Sequence, residues 1–197
     1  NNNAARTKTL EVILSLSASD PSGVTYMQLS NDNNIWSNPE ESYATTKSWT
    51  LPSGDGSKTV YVKFKDSFNN WSGVYSAIII LDTDPPALAL NPVITPTNKA
   101  TQTLSGTRES GADITVTCST ATVGTVTYPT DTTWMVTISN LSTGRYEIVI
   151  SASDLAGNKY SQTFTIDRIE PGDVNMDATV DLGDANLSMQ VMTQTNL

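Results

Sequence analysis

The residues best suited to chemistry form a row of oxygen-bearing side chains near the C-terminus, within residues 173–184. They occupy the first, third, fifth, ninth and twelfth positions of this stretch: Asp173, Asn175, Asp177, Asp181 and Asp184. The seventh residue, Thr179, can add its backbone carbonyl. This spacing allows a loop to place six or seven oxygens around a hard cation at about 2.3–2.6 Å. Because crowded carboxylates repel one another without a cation, the sequence predicts one Ca²⁺ here, with Asp184 bidentate and Asp181 bound directly or through water.

The residues around these ligands indicate how the loop would be built. Val180, between the seventh and ninth positions, is expected to point away from the ion into a small core. Apolar residues at helical spacing then predict a C-terminal helix with one apolar stripe, formed by Leu182, Ala185, Met189 and Met192. The sixth position, where EF-hand loops carry a glycine at positive φ, is Ala178, which costs on the order of 1 kcal/mol. The alternative is a solvated acidic turn before the same helix.

Residues 172–177 read Gly-Asp-Val-Asn-Met-Asp, and with Asp184 and the following helix they resemble the type I dockerin repeat. The resemblance covers about residues 171–197, inside an expected C-terminal unit of residues 169–197. It implies an EF-hand-type calcium loop that attaches the chain to a cohesin-like protein or to a neighbouring domain. Dockerins normally carry two such repeats, whereas this sequence has one. Positions ten and eleven, where dockerins often carry a recognition pair of hydroxyls, are Leu182 and Gly183, so docking of the apolar helix on the neighbouring domain stays an alternative.

The amino-acid composition argues against several classes of function. The net charge is −9, and residues 170–197 contribute −5 of it without a single Lys or Arg. The absence of histidine excludes Ser-His-Asp and Cys-His catalytic sites and His-ligated metals. The sequence offers neither a Lys/Arg-rich face for nucleic acid nor an apolar run long enough to insert into a membrane. Cys118, the one cysteine, lies in an alternating strand pattern and is interpreted as a small core residue, as in exported bacterial β-domains without disulfides.

An internal repeat predicts one β-domain used twice. Residues 60–70 resemble residues 148–158, since each is an alternating strand followed by Asp, three residues and Asn. Residues 75–82 likewise match residues 160–167, with Tyr and Asp seven positions apart in both. The repeat predicts domains at residues 1–84 and 85–168. The Asx residues of the two turns are explained by local hydrogen bonding and tolerance of the left-handed conformation.

Six or seven short strands in each unit are typical of a β-sandwich. Residues 30–37, 58–62 and 152–158 resemble the bacterial immunoglobulin-like and fibronectin type III-like modules that occur in tandem on exported surface proteins. The resemblance implies an all-β chain with two immunoglobulin-like sandwiches in tandem, followed by the calcium loop and helix. A proline-stiffened linker at residues 82–86 predicts a rod. The expected function is a non-catalytic spacer and attachment module, secreted or at a bacterial cell surface, in an adhesion or polysaccharide-degrading assembly.

Two alternatives concern ligands of the sandwiches. Four aromatic residues could form a platform for sugar rings, which would make the chain a carbohydrate-binding or adhesion module: Trp36, Tyr43, Tyr61 and Trp71. Tyr61 is expected to be exposed, whereas Trp49 and Trp134 occupy equivalent repeat positions and are expected in the cores. Asp82 and Asp84 in the linker could bridge calcium, although a solvated hinge explains them as well. No nucleophile–base pair can be named, so we expect no enzyme activity.

Overall fold

The computed structural model describes residues 5–173, 175, 177 and 179–185. Contacts divide the chain into two compact units, Asn1–Asp84 with Leu155–Asn158 and Pro85–Asp154 with Lys159–Leu197. Strands make up nearly all the regular structure of the described residues, and residues 182–185 form one helical turn. Most of the predicted C-terminal helix lies outside the described residues. Within the described part of the chain, no helix is long and apolar enough to cross a membrane.

The first unit is a sandwich of two sheets. Its strands are β1 (Arg6–Thr7), β2 (Glu11–Ser15), β3 (Val24–Ser30), β4 (Glu41–Ser42), β5 (Thr46–Thr50), β6 (Gly56–Asp66) and β7 (Tyr75–Leu81). One sheet has the order β1-β7-β6-β3-β4, and β2 pairs with β5 in the other. The core lies between them and includes Val12, Met27, Leu29, Leu51, Val60 and Phe64. Because side chains alternate along a strand, β6 directs Val60 and Phe64 inward and Lys63 outward.

The second unit repeats this architecture with a larger core. Its strands are β8 (Leu88–Leu90), β9 (Gln102–Arg108), β10 (Asp113–Cys118), β11 (Thr122–Val123), β12 (Thr127–Thr130), β13 (Thr133–Ser139), β14 (Gly144–Ser153) and β15 (Lys159–Arg168). One sheet has the order β10-β14-β15 and the other β11-β13-β9-β8, with β12 also on β13. Cys118 is half-buried against the core, as a small apolar residue would be. The predicted all-β fold of two sandwiches is confirmed.

Trp134 is the central side chain of the second core, with 1% of its surface exposed. Its indole Nε1 donates to the carbonyls of Ala89 and Thr107, each at 3.3 Å. Gly106 provides the necessary space, because a Cβ at that position would lie 1.9 Å from the oxygen of Ala89 and 2.9 Å from Trp134 Nε1. The ring is therefore buried without leaving its donor unsatisfied.

Tyr146, near the start of β14, closes a corner of the second unit. Its hydroxyl accepts from the amide of Ser142 at 2.7 Å and donates to the Ser142 carbonyl at 3.0 Å. This is the tyrosine corner found at the same place in many immunoglobulin-type sandwiches. The corresponding residue of the first unit is Lys58, whose ammonium donates to the Ser53 carbonyl at 3.2 Å. The two units therefore brace the same corner with different side chains.

The turn after β6 shows the local hydrogen bonding expected of its Asx residues. One carboxylate oxygen of Asp66 accepts from the amides of Phe68 and Asn70, and the other accepts from Asn70 Nδ2 at 2.9 Å. The residue in the left-handed conformation is Asn69, at φ 70°, and the corresponding residue of the second unit is Gly157, at φ 87°. The left-handed position thus precedes the repeated Asn.

Candidate functional site

The predicted calcium loop is folded around hydrogen bonds between its own ligand positions. Asp177 Oδ1 accepts from the Thr179 amide at 2.9 Å and from the Thr179 hydroxyl at 2.5 Å, and Oδ2 accepts from Asn175 Nδ2 at 2.8 Å. The Asp177 amide in turn donates to Asn175 Oδ1 at 3.0 Å. These bonds, first from the Thr179 hydroxyl, then from the Thr179 amide and Asn175, lower the pKa of Asp177. The third, fifth and seventh positions therefore converge.

The twelfth position joins the same network. Asp184 is only 3% exposed, and its carboxylate accepts from the amides of Asn175 at 3.1 Å and Asp181 at 2.9 Å. Asp181 Oδ1 accepts from the Gly183 amide at 2.6 Å, and a Cβ on Gly183 would lie 2.9 Å from that oxygen. Asp173, at the first position, is 2% exposed. The loop therefore buries the carboxylates of its first and last positions.

These bonds decide what the loop presents to an ion. Every candidate ligand contributes oxygen, which is the donor atom that Ca²⁺ prefers. Burying two carboxylates costs free energy, and a bound cation would offset that cost. Across residues 5–173, 175, 177 and 179–185, however, no group of three or more His, Cys, Asp or Glu side chains is placed so that it could hold a metal. The carboxylates of Asp177, Asp181 and Asp184 instead accept from loop groups, and Ca²⁺ binding stays a prediction.

Among the residues beside the ligands, Val180 differs from expectation. Val180 is 59% exposed, so the prediction that it points into a small core is wrong. One of its methyl groups would still lie 3.1 Å from a Cβ on Gly172, which adopts φ 101°. Leu182, at loop position ten, is 84% exposed. The sixth position, Ala178, and the apolar stripe beyond Ala185 lie outside the described residues.

A second candidate site is an aromatic cluster on the outer face of the first unit, which we call the Trp–Lys cluster and define as Trp36, Lys63 and Trp71. The Lys63 ammonium lies 4.5 Å from the centroid of the Trp36 ring and 4.6 Å from that of the Trp71 ring. Each such cation–π contact contributes about 0.5–1 kcal/mol at an exposed site. The fold therefore unites the two tryptophans of the predicted aromatic platform around one lysine.

Two Trp-Ser dipeptides position these rings in the same way. The Ser37 amide donates to the Leu29 carbonyl at 2.8 Å, and Ser37 Oγ accepts from the Leu29 amide at 3.1 Å. Ser72 makes the equivalent pair of bonds with Phe64, at 2.8 and 2.9 Å. Each serine thus binds both backbone groups of an inward-facing strand residue and holds the preceding tryptophan beside the outer face. The repeated Trp-Ser dipeptide was the sequence signal for this bracket, which sequence reasoning missed.

The remaining aromatic residues do not extend the platform. The Tyr43 ring packs edge-on against Phe64, with 5.7 Å between centroids, and its hydroxyl accepts from the Ala18 amide at 3.0 Å. Tyr61 is half-buried rather than exposed. Trp49 is half-buried against the first core and donates to Asn31 Oδ1 at 2.8 Å, whereas Trp134 is fully buried. Only Trp36 and Trp71 of the four proposed residues therefore form a joint surface.

Comparison with known proteins agrees with this architecture. Residues 94–168 match the family model of the bacterial Ig-like domain. The two units are immunoglobulin-like β-sandwiches in tandem. No curated protein matches the chain.

Among solved structures, the fibronectin(III)-like modules of Clostridium thermocellum CbhA are 13% identical, with 83% of this chain and 87% of that chain covered at a TM-score of 0.49. The BSP domain of a biofilm associated protein is 22% identical, with 84% and 28% covered at 0.32. Invasin, a bacterial integrin-binding protein, is 10% identical, with 86% and 38% covered at 0.38. The chain spans well under half of the second and third structures, and similarity at this level is no guide to function.

Proposed function

We propose that this chain is a non-catalytic spacer and attachment module of an exported bacterial protein, whose C-terminal loop binds one Ca²⁺. The observation that carries the calcium assignment is the hydrogen-bonded convergence of the third, fifth, seventh, ninth and twelfth loop positions. The match of residues 94–168 to bacterial Ig-like domains supports the exported spacer. Six residues would hold the ion: Asp173, Asn175, Asp177, Thr179, Asp181 and Asp184.

The ion would replace hydrogen bonds that the loop now makes internally. Asp177 would exchange its bonds from Thr179 for a metal contact, and Thr179 would contribute its carbonyl. Bound Ca²⁺ would offset two of the five negative charges of residues 170–197 and reduce the repulsion among the carboxylates. Mg²⁺ should compete poorly, because it needs a smaller and near-octahedral shell.

The attachment surface would lie beside the ion rather than on the sandwiches. Val180 and Leu182 are apolar and are 59% and 84% exposed, and such side chains are suited to a protein contact when the loop is held rigid. A calcium-ordered loop would present them to a cohesin-like protein or to a neighbouring domain. The spacer role requires the two sandwiches to hold this loop at a distance, and small-angle X-ray scattering would contradict it with the profile of a compact sphere.

Titration calorimetry of the full chain tests the calcium site. We expect one saturable Ca²⁺ site whose heat disappears in Asp184→Asn, because that substitution removes the bidentate ligand. Glu147→Gln is the matched control, since it removes one exposed carboxylate of β14 outside the loop. Absence of calcium heat in the wild type, or equal heats in the wild type and Asp184→Asn, would reject the site.

Attachment needs its own readout. Leu182→Ser should leave the calcium affinity unchanged but weaken calcium-dependent binding to an immobilised cohesin domain. EDTA should abolish that binding in the wild type. Binding that persists in EDTA would contradict a calcium-dependent attachment.

Carbohydrate binding is the second candidate function. The observation in its favour is the pairing of Trp36 and Trp71 around Lys63, which gives one surface with both aromatic faces and a cation. Catalysis remains without a candidate nucleophile and base, so we expect no hydrolytic activity.

A further inference from the structure

We propose that the Trp–Lys cluster binds a carboxylate-bearing sugar residue of an acidic polysaccharide. The inference rests on the second candidate function, carbohydrate binding, and is independent of the calcium loop. It names a ligand class that the aromatic rings alone would not specify, because the Lys63 ammonium forms a stronger, charge-assisted hydrogen bond with a carboxylate than with the hydroxyls of a neutral sugar.

First, the N–H donors of the Lys63 ammonium are available to an acidic ligand. A lysine ammonium has three N–H donors and no acceptor. Among the described residues, the Lys63 ammonium forms none of the ion pairs and donates no hydrogen bond, and it lies over the two tryptophan rings. Two other lysines of the first unit are engaged: Lys65 pairs with Glu40 at 3.0 Å, and Lys47 pairs with Glu41. Lys63 thus retains its donors for an anion from outside.

Second, the two tryptophan rings are held in position before a ligand binds. Trp36 and Trp71 follow different strands, yet the serine after each is fixed to the backbone of a core residue by two hydrogen bonds. The rings and the ammonium are therefore in place before a ligand arrives, which lowers the entropy that binding costs. A sugar ring has an apolar C–H face that can pack on an indole, and its carboxylate can accept a charge-assisted hydrogen bond from Lys63.

The positive charge of the Trp–Lys cluster favours an acidic sugar although the chain as a whole is acidic. The net charge of the chain is −9, and residues 170–197 contribute −5 of it. At physiological salt, charges beyond a Debye length of about 8 Å are largely screened. The positive charge available to a carboxylate at this surface is that of Lys63, 4.6 Å from the Trp71 ring centroid, because Lys65, 5.4 Å from the same centroid, is paired with Glu40.

The alternative is a cluster that only clamps two loops to the sheet. The test titrates the full chain with an oligogalacturonate and, in parallel, with the same oligomer after reduction of its carboxylates to alcohols. Calorimetry and tryptophan fluorescence report binding, and thermal unfolding reports stability. We expect the acidic oligomer to bind and to shift the fluorescence, with weaker binding at high salt, and the reduced oligomer to bind about tenfold or more weakly.

Variants separate binding from clamping. Lys63→Gln should weaken binding of the acidic oligomer by about tenfold or more while leaving the reduced oligomer unaffected. Trp71→Ala should weaken both. Lys58→Gln, a lysine substitution on the same strand outside the cluster, should change affinity by no more than about twofold. Wild-type protein that binds neither oligomer, or a Lys63→Gln variant that retains full affinity, would overturn the proposal even if the variant melts earlier. EDTA should leave this binding unchanged, so failure here is distinct from failure of the calcium site.

Discussion

The two units of this chain fold alike but place their tryptophans differently. The first unit has the Trp–Lys cluster on its outer face, and its remaining tryptophan, Trp49, is half-buried against a core that contains Phe64. The second has Trp134 and Tyr146 inside, each with its polar atom hydrogen-bonded. The turn after the Asp-x-x-x-Asn repeat marks the divergence, because Trp71-Ser72 follows it in the first unit and Lys159-Tyr160 in the second. The shared scaffold thus carries two tryptophans on the outer face of the first unit and one inside the core of the second.

Substitution of the equivalent tryptophans should give the largest difference between the units. Trp134→Ala should cost the second unit about 3–5 kcal/mol in free energy of unfolding, because it leaves a cavity in a closed core. Trp49→Ala should cost the first unit about 1–2 kcal/mol, because less apolar area is lost from a half-buried ring. Urea unfolding followed by resolved NMR signals of each unit measures both values. Equal losses would show that the burial difference has no energetic consequence.

That contrast also shows where sequence reasoning reached its limit. Strand positions and the repeat were predicted because alternation and the Asp-x-x-x-Asn turn are local patterns. Trp49 and Trp134 look equivalent in the sequence, but the depth of Trp134 depends on the missing side chain of Gly106, which pairing across strands brings beside it. The Trp-Ser brackets depend on contacts with Leu29 and Phe64 that only the folded sheet establishes.

The spacing of the candidate ligands in the C-terminal loop could also be recognised from a local pattern. Its ligand positions lie within twelve residues, so their convergence is a local property, and the hydrogen bonds joining Asn175, Asp177 and Thr179 follow the alternate spacing. The burial of Val180 depends on whether residues distant in the chain cover it, which the local spacing of the loop does not determine. The ion itself remains for the titration with Asp184→Asn to decide.

A smaller difference in stability is expected between substitutions at Tyr146 and at Lys58, which occupy the same corner of the two units. Tyr146→Phe removes a hydroxyl that bonds both backbone groups of Ser142, and it should cost about 1–2 kcal/mol because two partly buried hydrogen bonds are lost. Lys58→Met in the first unit should change stability by no more than about 0.5 kcal/mol, because its exposed bond to Ser53 competes with water. Chemical denaturation of each variant tests the difference. A first unit that depends on Lys58 as strongly as the second depends on Tyr146 would erase the contrast at this corner.

The smallest expected effect is a pH dependence in the turn of the first unit. Hydrogen bonds from the Asn70 side chain and amide, and from the Phe68 amide, lower the pKa of Asp66. Its folded pKa is therefore below the unfolded value of about 3.9. The contribution of Asp66 to stability is fully present above the unfolded value and is lost as the pH falls through the folded one. NMR titration of the Asp66 carboxyl carbon measures the folded pKa directly.

Two substitutions in that turn distinguish the hydrogen bonds from the backbone conformation. Asn70→Ala should raise the pKa of Asp66 towards its ordinary value, because it removes the donor that contributes most. Asn69→Gly is the matched control: it gives the turn the glycine that the second unit has at Gly157, and positive φ suits glycine, so the pKa should not move. A pKa that moves equally in both variants would mean that the turn conformation, rather than the Asn70 donor, determines the acidity of Asp66. That outcome would contradict the role assigned here to the Asn70 side chain.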